Sequence, residues 1–248
     1  MKLPLSLGKS PLLDALFELR FRPTIKSAGE ILPGMLFQAL KDEYTEVTKL
    51  PLANVPAELR QADPKLWHQA HYRLQGPGKQ VSVGQQVFNF SFGIEYPGWD
   101  HFRAEIAGLL SLLASSGLVD EVERYSLRYV NLIPAPATDQ LKLLNAKIQL
   151  RGEDVSENGF HLRTEYLDGD FRNIVQIRTG ATASLADNSS RSGIIVDVDT
   201  IRHVESDDFW ENQEALLEDG HGVLKSTFFS LVSSETIESF DPTWEEST

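Results

Sequence analysis

Apolar and charged side chains alternate with a period of two in Leu12–Phe21, and no other feature of the chain restricts the fold as strongly. Phe17 and Leu19 fall on one face of an extended chain, whereas Glu18 and Arg20 fall on the other. This pattern predicts a strand with one buried face and one polar face. One-sided strands are typical of antiparallel sheets, since parallel sheets are usually covered on both faces.

A second alternating segment, Glu123–Pro134, has two arginines on the same face of the predicted strand. Tyr125 and Leu127 lie on its apolar face, and Arg124 and Arg128 lie on the opposite face. Clustered arginines can bind phosphate or carboxylate groups through paired hydrogen bonds. They can equally form ion pairs with carboxylates on neighbouring strands, so the sequence leaves both interpretations open.

Other segments also have the composition of strands and are separated by turn-rich pieces. HYRLQG and QVSVGQQVFNFSFG are predicted as strands joined at the turn GPGK, with a break at Gly84 in the second. The remaining predicted strands are LLNAKIQLR, GFHLRTEYLDG, FRNIVQIRTGA and SGIIVDVDTIRHV. The turn-rich piece ADNSSRSG before the last strand is predicted as a mobile loop.

Three segments have apolar residues at helical spacing. They are AGEILPGMLFQALKDEYTEV with Pro33 in the first turn, WDHFRAEIAGLLSLLASSG ending at Gly117, and FWENQEALLEDGHGVLKSTFFSLVS with a bend at Gly220 and Gly222. Lys49–Pro64, which contains several prolines, is predicted as an irregular connection.

Strands outnumber helices and occur in hairpin-like runs, which favours an α+β fold with a mainly antiparallel sheet and helices packed on one face. We expect residues 1–248 to form one compact unit, with halves 1–136 and 137–248. Leu12–Arg20 and Leu143–Arg151 share a similar pattern, which would arise either from a duplication that relates the halves or from the convergence of two amphipathic strands.

Charge and composition restrict the expected binding partners and cellular compartment of the protein. The formal net charge is −13, and both nucleic acids and anionic membranes attract basic surfaces, so neither is an expected partner. Cysteine is absent, which excludes disulfides and thiolate chemistry. The chain has no secretory signal pattern and no long apolar run, so we expect a cytoplasmic protein.

The negative charge is concentrated in the C-terminal part. Residues 1–140 contain 14 basic and 15 acidic residues, whereas residues 141–248 contain 9 basic and 21 acidic residues. The surplus predicts either a solvated acidic surface or a docking surface for a basic protein partner. Exposed sheet edges would also allow a homodimer.

Sequence motifs of the common enzyme classes are absent: there is no glycine-rich phosphate loop, dinucleotide fingerprint, His-Glu-x-x-His or Gly-x-Ser-x-Gly. No cofactor is therefore predicted. Asp197, Asp199 and His203 share one face of a predicted strand and form the candidate metal site. His68 and His71 are three residues apart, a spacing that can chelate a metal from one helical face, but HYRLQG is predicted as a strand, so both are interpreted as solvated loop histidines.

The candidate ligand-binding residues are Arg20, Arg124 and Arg128. If these arginines line a pocket, they would bind a small anion. The carboxylates available to neutralise them instead are Glu18, Glu165, Asp197 and Asp199.

The motifs PLLDALFELRF, YPGWDHF and RYVNLIP resemble those of the sporadically distributed, functionally uncharacterised bacterial and archaeal proteins of about this length. The resemblance covers most of the chain but carries no catalytic residues or cofactor. It implies a conditional role, such as defence or stress response.

Three functional hypotheses follow. The first is a non-enzymatic binding or interaction module, because catalytic signatures are absent and the C-terminal part is acidic. The second is a metal-assisted phosphoryl or nucleic-acid hydrolase that uses the candidate metal site. The third is a sensor of a small anionic ligand that uses the arginines alone.

Overall fold

The computed structural model describes residues 2–136, 138, 140–155, 159–184 and 190–244. The strands are β1 (Ser6–Leu7), β2 (Leu12–Pro23), β3 (Glu46–Lys49), β4 (Ala70–Gly76), β5 (Lys79–Gly84), β6 (Val87–Phe92), β7 (Val119–Pro134), β8 (Gln149–Leu150), β9 (Glu153–Asp154), β10 (His161–Asp168), β11 (Phe171–Ser184), β12 (Ser190–His203) and β13 (Pro242–Thr243). The α-helices are α1 (Ala28–Leu40), α2 (Ala57–Ala62), α3 (Trp99–Ser115), α4 (Ser206–Leu231) and α5 (Ser234–Ser239).

Nine of these strands form one antiparallel sheet in the order β10-β11-β12-β7-β2-β6-β5-β4-β3. β1 pairs with β13, and β8 pairs with β9, in two small additional sheets. The predicted α+β fold with a mainly antiparallel sheet is confirmed.

The chain divides into two compact units, each made of several segments. Unit A consists of Asp14–Leu127 and Ile201–Gly220. Unit B consists of Met1–Leu13, Arg128–Thr200 and His221–Thr248. These boundaries differ from the expected halves, because the chain changes unit within β2, β7, β12 and α4.

In unit A, aromatic and aliphatic side chains on one face of the strands form the core. Phe17 lies opposite Phe90 and Leu19 lies opposite Phe88 in the β2–β6 pair, and Val81 of β5 faces Phe90 in turn. All five side chains are fully buried. Burial of an apolar side chain of this size contributes about 1.5–3 kcal/mol, so the alternation in β2 fixes which face of the strand points inward.

Helix α3 packs its apolar stripe against this core. The Phe102 ring stacks on Phe90 at 5.5 Å between centroids, and Phe102 and Ile106 are both fully buried. Gly117 follows the helix with a positive φ of 67°, a conformation that glycine adopts without strain. The predicted helix and its terminating glycine are confirmed.

In unit B, β10 pairs with β11 along its whole length, and all eight residues of β10 are exposed. Val175 and Ile177 on β11 point into the core. A buried hydrogen bond from Thr200 to the Asn173 side-chain oxygen, 2.7 Å long, satisfies polar groups that would otherwise be costly inside the protein.

The N-terminal helix is shorter than predicted. α1 ends at Leu40, and Glu46–Lys49 forms β3, which pairs with β4. Val47 and Thr48 are β-branched and favour extended backbone, which explains the difference. Pro33 lies inside the helix rather than in its first turn.

The predicted irregular connection contains ordered helical turns. Pro51–Asn54 and Pro64–Leu66 are 3-10 helices, and α2 lies between them. Prolines mark the start of each turn, where the missing amide hydrogen costs little. The prolines therefore begin short helical turns, and the prediction of an irregular segment was wrong.

Three C-terminal predictions also need correction. LLNAKIQLR starts at the last residue of the 3-10 turn Gln140–Leu143 and contains only the two-residue strand Gln149–Leu150, so it does not repeat the long strand β2. α4 departs from helical geometry at Asn212 rather than at its glycines. The predicted mobile loop lies partly outside the described residues, and residues 190–193 belong to β12.

Candidate functional site

A cavity of about 370 Å³ lies in unit A, beside the N-terminus of α1. Ligand sites in proteins usually have volumes of roughly 300–1,000 Å³, so the cavity is large enough for a small molecule. It is lined by Pro23, Thr24, Ile25, Lys26, Ser27, Glu30, Ala57, Arg60, Gln61, Leu66, Trp67, His71, Gln85 and Gln86. The name "α1 cavity" is used below for this site.

Two glycines allow close backbone contacts beside the α1 cavity. A Cβ atom at Gly29 would lie 2.9 Å from the Cα atom of Gln85, and one at Gly84 would lie 2.3 Å from the Gln69 carbonyl oxygen. The Gly29 amide donates to the Gln85 side-chain oxygen at 3.1 Å, and the Gln85 side-chain amide donates to the Ile25 carbonyl at 3.2 Å. The start of α1 is thereby attached to the β5–β6 turn.

A β-bulge places His71 in the wall of this cavity. Ala70 pairs with Gly84 and Tyr72 pairs with Val83, and the register shifts between these two pairs. His71 is therefore the extra residue on β4. Bulges redirect a side chain from the regular alternation of a strand and are frequent beside functional sites.

His71 is buried and uncharged. Its exposed fraction is 1%, and neither ring nitrogen has a hydrogen-bond partner among the described residues. Burial and, to a smaller extent, the Arg60 charge lower the pKa of His71 to about 4, against an opposing effect of the Glu30 charge. At neutral pH the ring therefore has one nitrogen that can donate and one that can accept.

Beside His71, a charged pair is already satisfied within the protein. Arg60, which is buried, donates to the Glu30 carboxylate and also to the Leu52 carbonyl at 3.3 Å. The Tyr72 hydroxyl donates to the other Glu30 oxygen at 2.9 Å. Burial acts to raise the pKa of Glu30, but the hydrogen bonds from Arg60 and Tyr72 and the Arg60 charge lower it overall. The pair thus adds no net charge to the cavity.

Apolar side chains form much of the remaining lining. Ile25 and Trp67 are 43% and 38% exposed, which shows that the α1 cavity opens to solvent. The Trp67 indole N–H donates to the Gln61 carbonyl at 3.0 Å and holds the ring in place. A fixed indole offers a flat surface on which another ring can stack. The arrangement suits an uncharged, flat molecule with hydrogen-bonding atoms.

Two of the candidate arginines are paired with one carboxylate in unit A. Arg20 Nε and Arg124 Nη2 each donate to Glu18 Oε1 at 2.7 Å, and the Glu18 side chain is only 17% exposed. His68 lies close to this pair, and its pKa is lowered by burial and by the Arg20 charge. Neither arginine lines the α1 cavity.

The third candidate arginine is paired in unit B. Arg128 donates from Nε to Asp197 Oδ1 at 2.8 Å and from Nη2 to Asp197 Oδ2 at 2.6 Å. The Gln176 side chain also donates to Asp197 Oδ2 at 3.0 Å. Both oxygens of Asp197 therefore accept hydrogen bonds. In the structure, Arg20, Arg124 and Arg128 each form an ion pair with a carboxylate of the protein.

The other members of the candidate metal site have different surroundings. Asp199 is half-buried in unit B, and His203 is exposed in unit A. Within the described ranges, no group of three or more His, Cys, Asp or Glu residues is arranged to hold a metal ion. The hypothesis of a metal site at Asp197, Asp199 and His203 stays a prediction.

The acidic surplus of the C-terminal part lies partly on α4. Glu214, Glu218 and Asp219 are largely exposed; Arg103 pairs with the first two, and Arg202 pairs with Asp219. Docking of a basic protein partner stays a prediction, as do a homodimer and a cytoplasmic location. Among the described residues, no helix combines the length and the apolar composition that crossing a membrane requires.

Sequence reasoning missed His71. It was interpreted as a solvated loop histidine, but it is a buried residue of β4, and this interpretation was wrong. The signal that could have found it is Gly84, which was recognised only as a break in a strand. A glycine within a strand often marks a bulge or a close backbone approach, and Gly84 pairs beside the bulge that carries His71.

No family model matches the chain, and no curated protein matches it. The resemblance to the sporadically distributed bacterial and archaeal proteins stays a prediction. The candidate site therefore rests on its geometry.

Proposed function

We propose that the protein is a non-enzymatic binding module whose α1 cavity takes a small, uncharged, flat molecule. The ligand would carry both hydrogen-bond donors and acceptors, as nucleobases and other nitrogen heterocycles do. A conditional role in defence or stress response would then consist of sensing such a molecule.

The observation that carries this proposal is the state of His71. A buried polar group without a partner costs about 1–3 kcal/mol, so most such groups in proteins are hydrogen-bonded. His71 has two such atoms at the wall of a cavity of ligand size. The two ring nitrogens point in different directions, so a bound heterocycle with an acceptor or a donor at the cavity wall would satisfy one nitrogen of the uncharged imidazole.

Charge supports an uncharged ligand over an anionic one. The buried guanidinium of the α1 cavity, that of Arg60, is engaged by Glu30. Lys26, the other base of the lining, is exposed, so its charge is solvated. The arginines of the anion-sensor hypothesis, Arg20, Arg124 and Arg128, engage carboxylates of the protein itself, so this hypothesis has less support.

The hydrolase hypothesis has less support for a similar reason. Arg128 and Gln176 occupy the carboxylate oxygens of Asp197, and a metal ion would have to compete with both. Calorimetric titration with Mg²⁺, Mn²⁺ and Zn²⁺ tests it. Stoichiometric binding that is lost in Asp197→Ala would favour the hydrolase over the binding module.

Thermal unfolding in the presence of a panel of uncharged nitrogen heterocycles tests the proposed function. The panel contains the nucleobases, nicotinamide and unsubstituted pteridines. A ligand that binds only the folded protein raises the melting temperature as its concentration rises. We expect at least one compound to produce a saturable rise in the wild-type protein.

Single substitutions test whether the stabilising compound binds in the α1 cavity. His71→Phe keeps a ring but removes both nitrogens, and Trp67→Ala removes the exposed ring of the lining. Both should abolish the rise, whereas His161→Phe on exposed β10 should retain it. A panel without any saturable rise, or a rise that persists in both cavity variants, would refute the proposal.

A further inference from the structure

A second cavity, of about 740 Å³, lies in unit B. The end of β7, the 3-10 turn Gln140–Leu143, the start of β12 and helix α5 contribute to its lining. The walls approach closely: a Cβ atom at Gly193 would lie 2.1 Å from the Ile133 carbonyl oxygen, so this position requires glycine. The name "α5 cavity" is used below for this site.

The charge of the α5 cavity is opposite to that of the protein. Lys9, Lys142 and Arg191 line it together with a single acid, Glu235. The whole chain has 36 acidic and 23 basic residues, so three bases among four charged lining residues reverse the overall balance. A positive patch within an acidic protein attracts anions to that patch.

One of these bases is held only weakly by the protein. Lys9 Nζ lies 2.9 Å from Asp241, but the two side chains are 71% and 59% exposed. Exposed pairs of this kind contribute little to stability, so an incoming anion can replace the carboxylate. The Lys142 and Arg191 side chains are also exposed, so solvent and anions can reach them.

Apolar residues form most of the rest of the α5 cavity, together with the hydroxyl residues Ser10, Thr236 and Ser239. Leu132, Ile133 and Phe240 line it, and their exposed fractions are 2–5%. Their side chains are packed in the core and leave only small apolar areas at the cavity. An apolar surface beside several cations is complementary to a molecule with an apolar body and one anionic group.

We propose that the α5 cavity binds an amphipathic anion, in which an apolar body lies against Leu132, Ile133 and Phe240 and a sulfonate, carboxylate or phosphate group lies among the three bases. This site is separate from the α1 cavity in its residues and in the charge of its ligand. The proposal therefore does not depend on the function proposed for the α1 cavity.

A pair of fluorescent probes tests the proposal. 8-Anilinonaphthalene-1-sulfonate has an apolar body and one negative charge, and N-phenyl-1-naphthylamine has the same body without the charge. We expect the wild-type protein to bind the sulfonate saturably with one tight site. The double variant K142Q/R191Q should weaken this binding by about tenfold or more, since it removes two charge-assisted contacts.

Matched controls separate a local effect from general charge. The double variant K147Q/R178Q changes the net charge equally through two exposed residues of unit B outside the cavity, and it should bind the sulfonate as the wild type does. The uncharged probe should bind K142Q/R191Q as it binds the wild type, and His71→Phe should not affect the sulfonate site. Equal losses in both double variants, or no tight site in the wild type, would overturn the proposal.

Discussion

The burial of His71 makes the stability of the protein depend on pH. The pKa of His71 is lowered from about 6.5, its value in an unfolded chain, to about 4 in the folded protein. Between these values the unfolded chain binds a proton and the folded protein does not, so lowering the pH favours unfolding. This contribution should reduce the free energy of unfolding by about 2 kcal/mol from pH 7.5 to pH 5.

Urea unfolding of the wild type and of His71→Gln at both pH values measures this contribution. Glutamine does not titrate, whereas every other group is unchanged, so the difference between the two proteins isolates His71. We expect the loss of stability on acidification to be smaller in the variant. The same loss in both proteins would show that His71 does not titrate as described.

Two glutamates each pair with two arginines, and replacing them with glutamine should reduce stability by different amounts. Glu18 is 17% exposed and accepts from Arg20 and Arg124, whereas Glu165 is 36% exposed and accepts from Arg163 and Arg172. Glu18→Gln keeps an acceptor oxygen but removes the negative charge that neutralises two guanidinium groups in a poorly solvated place, and it should cost about 2 kcal/mol. Glu165→Gln should lower the free energy of unfolding by at most about 1 kcal/mol, because its ion pairs are solvated.

Chemical unfolding of the two variants at neutral pH checks this contrast. Raising the salt concentration should reduce the small effect of Glu165→Gln and leave most of the effect of Glu18→Gln, because buried pairs are screened less. If Glu18→Gln were as stable as Glu165→Gln, the pair around Glu18 would have no structural importance.

At the scale of elements, the position of α1 depends on a glycine. A Cβ atom at Gly29 would lie 2.9 Å from backbone atoms of Gln85, whereas one at Gly34, in the same helix, would have no atom within 4 Å. Gly29→Ala should therefore destabilise the protein by about 1–3 kcal/mol, since the helix must move away from the β5–β6 turn. Gly34→Ala should stabilise it by roughly 0.5–1 kcal/mol through helix propensity.

Equilibrium unfolding of the two alanine variants measures both changes. Gly29→Ala should also weaken the binding of any heterocycle that stabilises the wild type, because the helix start lines the α1 cavity. Equal stability of the two variants would contradict the close approach between α1 and the turn.

Long amphipathic elements could be predicted from the sequence, and short ones could not. β2 and α3 have many residues that repeat the same pattern, so their faces follow from burial alone. The short turns around α2 depend on where prolines begin a helix, and the end of α1 depends on pairing of β3 with β4. Such local choices are decided by neighbours that are distant in sequence.

At the scale of the whole molecule, the α+β class could be predicted by counting strand patterns in the sequence. The position of the candidate site could not be predicted in this way. The arginines singled out by alternation engage Glu18 and Asp197, because an acidic chain supplies carboxylates to neighbouring strands. The α1 cavity arises from a bulge, a glycine contact and a helix start in different parts of the sequence. No local pattern reveals that these parts meet.

The central claim is that His71 binds the ligand of the α1 cavity while uncharged. Nitrogen NMR of the six histidine rings, at neutral pH with and without the heterocycle that stabilises the protein most, tests it directly. His71 should be in its neutral form, and its ring nitrogens should shift when the compound binds, whereas those of exposed His161 should not. A bound compound that leaves the His71 nitrogens unchanged, or a His71 ring that is charged at neutral pH, would contradict the claim.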